Sequence, residues 1–224
     1  MPVSLERIAS EYPRLYHMAA GGSWPSIRRH GLLSTTALLD LFGVHGEERQ
    51  NIECRRRPET VLLRHAKQGE ASIRDQKVLS ETKLTRVLQD AMTPEAWFRL
   101  LNSKVFFWLT LERLDKLLGA RAYRATERLV LEIDTLPLLQ AHGDRVFLAA
   151  MNTGNTSPYA HPRGARTFLS PAEYPFDERL KKRKEAIVEL AIEGGVPDLA
   201  TYVISATVIP ANGSRVDGQV LFTP

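Results

Sequence analysis

A carboxylate in the middle of an apolar strand is the feature that most restricts how this chain can fold. The stretch Glu185-Ala-Ile-Val-Glu-Leu-Ala-Ile-Glu193 alternates, with Val188, Leu190 and Ile192 on one face and Ile187, Glu189 and Ala191 on the other. Burying Glu189 without a partner is expensive. Such a residue is paired, placed at a cavity mouth, or catalytic. A second polar residue, His17 in Leu15-Tyr16-His17-Met18, falls on an early strand. Together they predict a nucleotide-binding cleft, with an aromatic from the Val105–Trp108 run on the face they share.

The chain has 224 residues, 43% hydrophobic and 25% charged. That core needs no disulfide or metal to hold it. The single cysteine, Cys54, excludes an intrachain disulfide and fits a reducing compartment. It reads as non-catalytic, although Arg55, Arg56 and Arg57 beside it would lower its pKa. No run approaches the ~20 apolar residues of a membrane helix, and the N-terminus lacks a signal-peptide pattern. The expectation is a cytoplasmic protein. A net charge of +4 permits an anionic partner, DNA or RNA or a dinucleotide, without demanding one.

Helices dominate the first half and strands the second. Helical patterns are predicted at Trp24–His30 (Ser23 as N-cap, Gly31 past the end), Thr35–Phe42, Ser80–Leu88, Thr93–Leu101 and Leu111–Leu118. A helical patch is also read near Val61–His65. Strands are predicted at Arg14–Met18, Val105–Leu109, Arg128–Asp134, Arg145–Ala150 and Glu185–Glu193, with Tyr202–Ile209 as the last. The outcome is α+β: one domain over 1–224 with a mixed or antiparallel sheet. A helical, arginine-rich insertion occupies about 45–100.

Several segments carry hydrogen-bonding chemistry. After His17, the turn Ala19-Ala20-Gly21-Gly22-Ser23 lets backbone approach a ligand. In Ser72-Ile73-Arg74-Asp75-Gln76, the Arg74 fork suits a pyrophosphate. The loop Asn152–Arg166 holds Asn152, Asn155, His161 and Arg163 and reads as a substrate loop. His161 has no ligand partner at metal spacing, so no metal is predicted. The runs Arg55–Arg57 and Lys181–Lys184 read as solvated faces, or as phosphate attractants if they flank one cleft.

These pieces resemble the ADP-ribosyltransferase superfamily, especially its bacterial nucleic-acid-modifying and RNA 2'-phosphotransferase-like branches. Leu15-Tyr16-His17 followed by Ile27-Arg-Arg-His-Gly31-Leu32 is similar to the family's first strand, turn and helix. Glu189, then Val196-Pro197-Asp198, then Tyr202–Ile209 is similar to its late-strand glutamate and closing strand. The chain also looks like an uncharacterised bacterial family sharing the Arg-Asp-Gln, Asn-Ser-x-Val-Phe-Phe-Trp-Leu and His-Pro-Arg-Gly segments. The resemblance implies a split sheet, NAD as co-substrate, and His17 and Glu189 as catalytic residues. It implies cofactor contacts from His17, Tyr16, Arg74, Phe107 and Trp108. Phe106, Phe107 and Trp108 all remain candidates for the stacking aromatic. Two other readings stand beside it: RNA 2'-phosphotransfer to NAD, and a non-catalytic module that binds nucleic acid or a dinucleotide.

Overall fold

Two alternating runs, Arg14–Ala20 and Arg128–Asp134, pair antiparallel along their whole length and form the centre of the molecule. The computed structural model describes residues 2–157 and 159–224. Met1 and Pro158, the latter inside the expected substrate loop, lie outside the described residues. In chain order the elements of the first half are α1 (Leu5–Glu11), β1 (Arg14–Ala20), α2 (Trp24–His30), β2 (Leu32–Leu33), α3 (Thr35–Leu41), α4 (Gly46–Glu53), β3 (Val61–His65), β4 (Gly69–Ile73), α5 (Glu81–Val87) and α6 (Pro94–Asn102). The second half adds β5 (Lys104–Trp108), α7 (Leu111–Leu118), β6 (Arg128–Asp134), α8 (Thr135–His142), β7 (Val146–Ala149), α9 (Phe176–Lys182), β8 (Glu189–Glu193), β9 (Gly195–Val196), β10 (Val203–Ile209) and β11 (Gln219–Phe222).

Seven strands form one sheet in the order β11-β10-β6-β1-β5-β8-β7, with every neighbouring pair antiparallel. The fold is α+β. The strand alternation sorts side chains onto two faces. Leu15, Phe107, Leu131, Leu190 and Ile192 join one core with α1, α2 and α8. On the other face Ala149 and Ala191 meet Trp97, Phe98 and Leu101 of α6. Tyr16, Met18 and Val130 of that face meet Leu114 and Leu118 of α7.

The segment expected as a helical insertion is only partly helical. Val61–His65 is a strand, not a helical patch: it pairs with Gly69–Ile73 as a hairpin. His65 Nδ1 accepts from the backbone N–H of Lys67 and of Gln68, and Gly69 sits at φ +78°. Five residues can match either periodicity, and here cross-strand pairing decides. The hairpin packs with α3 and α4 around Leu39, Phe42, Ile52, Leu63 and Ile73. The chain also continues beyond Tyr202–Ile209: β11 adds an edge strand whose side chains are mostly exposed, so no buried pattern marks it in the sequence.

Ser23 does not cap α2. Its backbone is already helical (φ −76°, ψ −13°) and its side chain makes no cap hydrogen bond. At the other end Gly31 has φ +79°, and a Cβ there would stand 2.4 Å from the Cα and carbonyl of Pro197. Gly31→Ala is therefore expected to lose about 2 kcal/mol or more of stability in urea unfolding, from left-handed strain plus the clash.

Candidate active site

The sheet is nearly severed at one seam. β1 pairs with β5 at the single position Tyr16–Trp108, whereas β1 and β6 pair along the full strand. His17, the next residue, spans the gap with its side chain: Nδ1 lies 2.8 Å from the Phe106 carbonyl. A carbonyl only accepts, so Nδ1 carries the proton and Nε2 is an acceptor. Among the described residues nothing pairs with Nε2. The ring also meets Phe107 edge-to-face at 5.9 Å. Burial pushes the His17 pKa down to about 4; the Phe106 hydrogen bond opposes this and the charge of Arg74 adds to it. The imidazole is thus neutral at neutral pH.

Glu189 opens β8 opposite Trp108 and is 4% exposed. Its Oε2 accepts from the Thr153 backbone N–H at 3.0 Å and from the Thr153 hydroxyl at 2.6 Å. Oε1 has no protein partner among the described residues. Burial pushes its pKa up to about 7, against the two Thr153 hydrogen bonds and the charges of Arg113 and Arg163. Both protonation states are then populated near neutrality.

One cavity of about 240 Å³ touches both His17 and Glu189. Their strands do not share a face as expected. The register Tyr16–Trp108–Glu189 sets Glu189 on the side opposite His17 and Phe107. The cavity reaches both because β1 and β5 part beyond their single pair. Phe106, Phe107 and Trp108 all line it, so each of the three stacking candidates borders the space.

The remaining expected residues separate. Arg74 and Asn152 line the cavity; Tyr16, Asn155, His161 and Arg163 do not. Tyr16 is turned into the core against α7, because its neighbour His17 takes the other face. Asn155 Oδ1 accepts from Ser157 N–H, and His161 is exposed. Arg163, 1% exposed, donates to three carbonyls of its own loop: His161 at 3.1 Å, Thr153 at 2.9 Å and Asn155 at 3.0 Å. It also lies over Trp97, 5.6 Å from the ring centroid. It therefore holds the segment that presents Thr153 to Glu189.

Arg74 donates to the Met18 carbonyl at 2.9 Å and stacks on Tyr123. Three further cavity residues stood outside the expected site. Thr153 is the carboxylate's partner. Ser23, 7% exposed, has a hydroxyl with no hydrogen-bond partner. Arg57 is buried, and the solvated-face reading fails for it because its guanidinium is enclosed by α4, α6 and the strand β4 end. Arg55 and the Lys181–Lys184 run are largely exposed. Cys54 is buried as well, and burial raises its pKa rather than the arginines lowering it. Among the described residues no cluster of three or more His, Cys, Asp or Glu is arranged to hold a metal, and no helix is long and apolar enough to cross a membrane.

The geometry defines a class: an α+β protein whose antiparallel sheet opens around a cavity bordered by a neutral histidine and a buried carboxylate. A family model matches residues 13–203, and the chain belongs to that family, described as a family of unknown function (DUF7002). No curated protein matches the chain.

Two titrations of opposite sign follow. With His17 at about 4 against an ordinary 6.5, the unfolded chain binds more protons between those values, so stability rises with pH there. With Glu189 at about 7 against 4.5, the folded chain binds more, so stability falls with pH across that window. Glu189→Gln is expected to remove the fall and leave the histidine's rise visible in urea unfolding measured from pH 4 to 7. Thr153→Val deletes the hydroxyl donor and is expected to move the Glu189 titration above about 7, read from its carboxyl infrared band.

Proposed function

We propose that this chain is an NAD-dependent ADP-ribosyltransferase-like enzyme whose site is the cavity at the β1–β5 seam. The observation that carries the reading is the pairing of His17 and Glu189 on one cavity, on the strands where the ADP-ribosyltransferase resemblance expects them. The residues fit such a co-substrate. Nε2 of His17 is an unpaired acceptor suited to a ribose hydroxyl. The Ser23 hydroxyl, of a residue lining the same cavity, is buried without a partner. Phe106, Phe107 and Trp108 offer rings for nicotinamide or adenine.

In this reading the ribose–nicotinamide bond breaks and its electron pair leaves with nicotinamide. Positive charge develops on the ribose. Ionised Glu189 stabilises that charge through its unpaired Oε1, while Thr153 keeps Oε2 fixed. The same carboxylate takes the proton of the acceptor that replaces nicotinamide. His17 stays neutral and orients the sugar. The acceptor proposed is nucleic acid, on the basic balance of the chain.

A second reading, transfer of an RNA 2'-phosphate to NAD, gains from Arg57 and Arg74 on the cavity wall. Labelled NAD, incubated with DNA, RNA and protein, and a parallel assay on 2'-phosphorylated RNA separate the two. NAD that stabilises the fold in a thermal melt without turnover identifies a binding module instead.

Glu189→Gln is expected to lower transfer by ~100-fold or more while NAD still binds. Wild-type transfer is expected to climb with pH through about 7, since only the ionised carboxylate works. His17→Ala is expected to weaken NAD binding in a titration. Turnover indifferent to Glu189→Gln would overturn the proposed role.

A further inference from the structure

Of the three buried arginines among the described residues, Arg57, Arg128 and Arg163, Arg57 is the one that lines the cavity. It is 6% exposed and borders the cavity. Its Nη1 donates to the Ile52 carbonyl at 2.5 Å and to Asn102 Oδ1 at 3.0 Å, and its Nε donates to the Arg74 carbonyl at 3.3 Å. Asn102 is fixed in turn by donating to the Glu53 carbonyl at 2.7 Å. Among the described residues Nη2 has no protein partner, and the guanidinium forms no ion pair. The side chain is thus locked in place with one N–H edge unspent.

The charge around it is unbalanced. Arg74 lines the same cavity, and Arg74 and Arg128 lie over the ring of Tyr123 at 5.3 and 5.2 Å. The charge of Arg74 bears on both Arg57 and Arg128, and buried Asp75 opposes it at each, without an ion pair to any of the three among the described residues. Burial lowers the Arg57 pKa only to about 10, so it remains charged at neutral pH. A buried cation lacking an ion partner is costly to maintain. On the part of the cavity wall that holds Asp75, Arg57 and Arg74 set two guanidiniums against one carboxylate, an excess suited to an anionic ligand.

We infer that Arg57, with Arg74 beside it, forms a phosphate subsite of the cavity, and that the ligand bound there carries a phosphate or pyrophosphate group. Arg57 supplies the fixed N–H edge. Arg74 is tied to Met18 of β1 and adds field as well as a second edge. The subsite deepens the NAD reading but does not rest on glycosidic chemistry, since any phosphate-bearing ligand uses it.

The test is titration of the full chain with inorganic pyrophosphate by calorimetry, with acetate as the monovalent control. Pyrophosphate is expected to bind and to raise the melting temperature, and acetate to do neither. Arg57→Gln is expected to weaken pyrophosphate binding about tenfold or more, and Arg57→Lys less, because lysine keeps the charge and loses the fork. Arg57 also ties α4 to α6, so where Arg57→Gln fails to fold the wild-type chain with ¹⁵N-arginine decides. Its Arg57 guanidinium resonance, assigned with Arg57→Lys, is expected to shift on adding pyrophosphate. No pyrophosphate binding, acetate binding as tightly, affinity unchanged in a folded Arg57→Gln, or an unmoved Arg57 resonance would each overturn the subsite. Pyrophosphate bound through Arg57 in a chain that never turns over NAD would end the transferase reading and leave the subsite standing.

Discussion

The seam between β1 and β5 is the constraint from which the rest of this structure follows. A full ladder there would close the sheet and leave His17 and Glu189 on separate faces with no common space. One backbone pair, Tyr16 with Trp108, keeps the halves in register. One side-chain hydrogen bond, His17 to the Phe106 carbonyl, spans the opening beside it. That bond also fixes the histidine's tautomer, so the element that joins the sheet simultaneously presents an acceptor to the cavity.

The carboxylate is managed differently. Glu189 lies in an apolar strand, and among the described residues no ion pair neutralises it. Thr153 satisfies one oxygen twice, and Arg163 secures Thr153 from behind. The balance of desolvation against these contacts leaves the group near the middle of its titration at neutral pH. A direct arginine pair would have pinned it ionised and consumed the oxygen that faces the cavity. The arrangement keeps that oxygen open.

Much of this was legible in the sequence because it follows from periodicity. Arg128–Asp134, Leu111–Leu118 and Trp24–His30 coincide with their elements, since alternation, Gly119 and Gly31 mark them. Glu189 and His17 stood out because a polar residue in an apolar strand has few explanations. What local pattern cannot encode was lost. Arg57 looked like its exposed neighbour Arg55 because a run of three arginines carries no sign of which one turns inward. Val61–His65 was too short for its period to separate strand from helix. Tyr16 was joined to His17 by adjacency, although adjacency on a strand sends side chains to opposite sides. Nor does alternation reveal that a seam lets opposite sides communicate. Ser23 sat where caps sit, and only its backbone angles show that it is free for something else.

Arg163 gives the loop that follows β7 an internal cast. By gripping three carbonyls of its own segment, it fixes the base of the loop independently of what the outer residues are. Tyr159, 79% exposed, lies on the outer part. Changes there leave in place the Arg163 grip on the Thr153 carbonyl and the Thr153 hydrogen bonds that temper the acidity of Glu189. The outer and inner residues of this single stretch of chain are thereby free to vary on separate schedules.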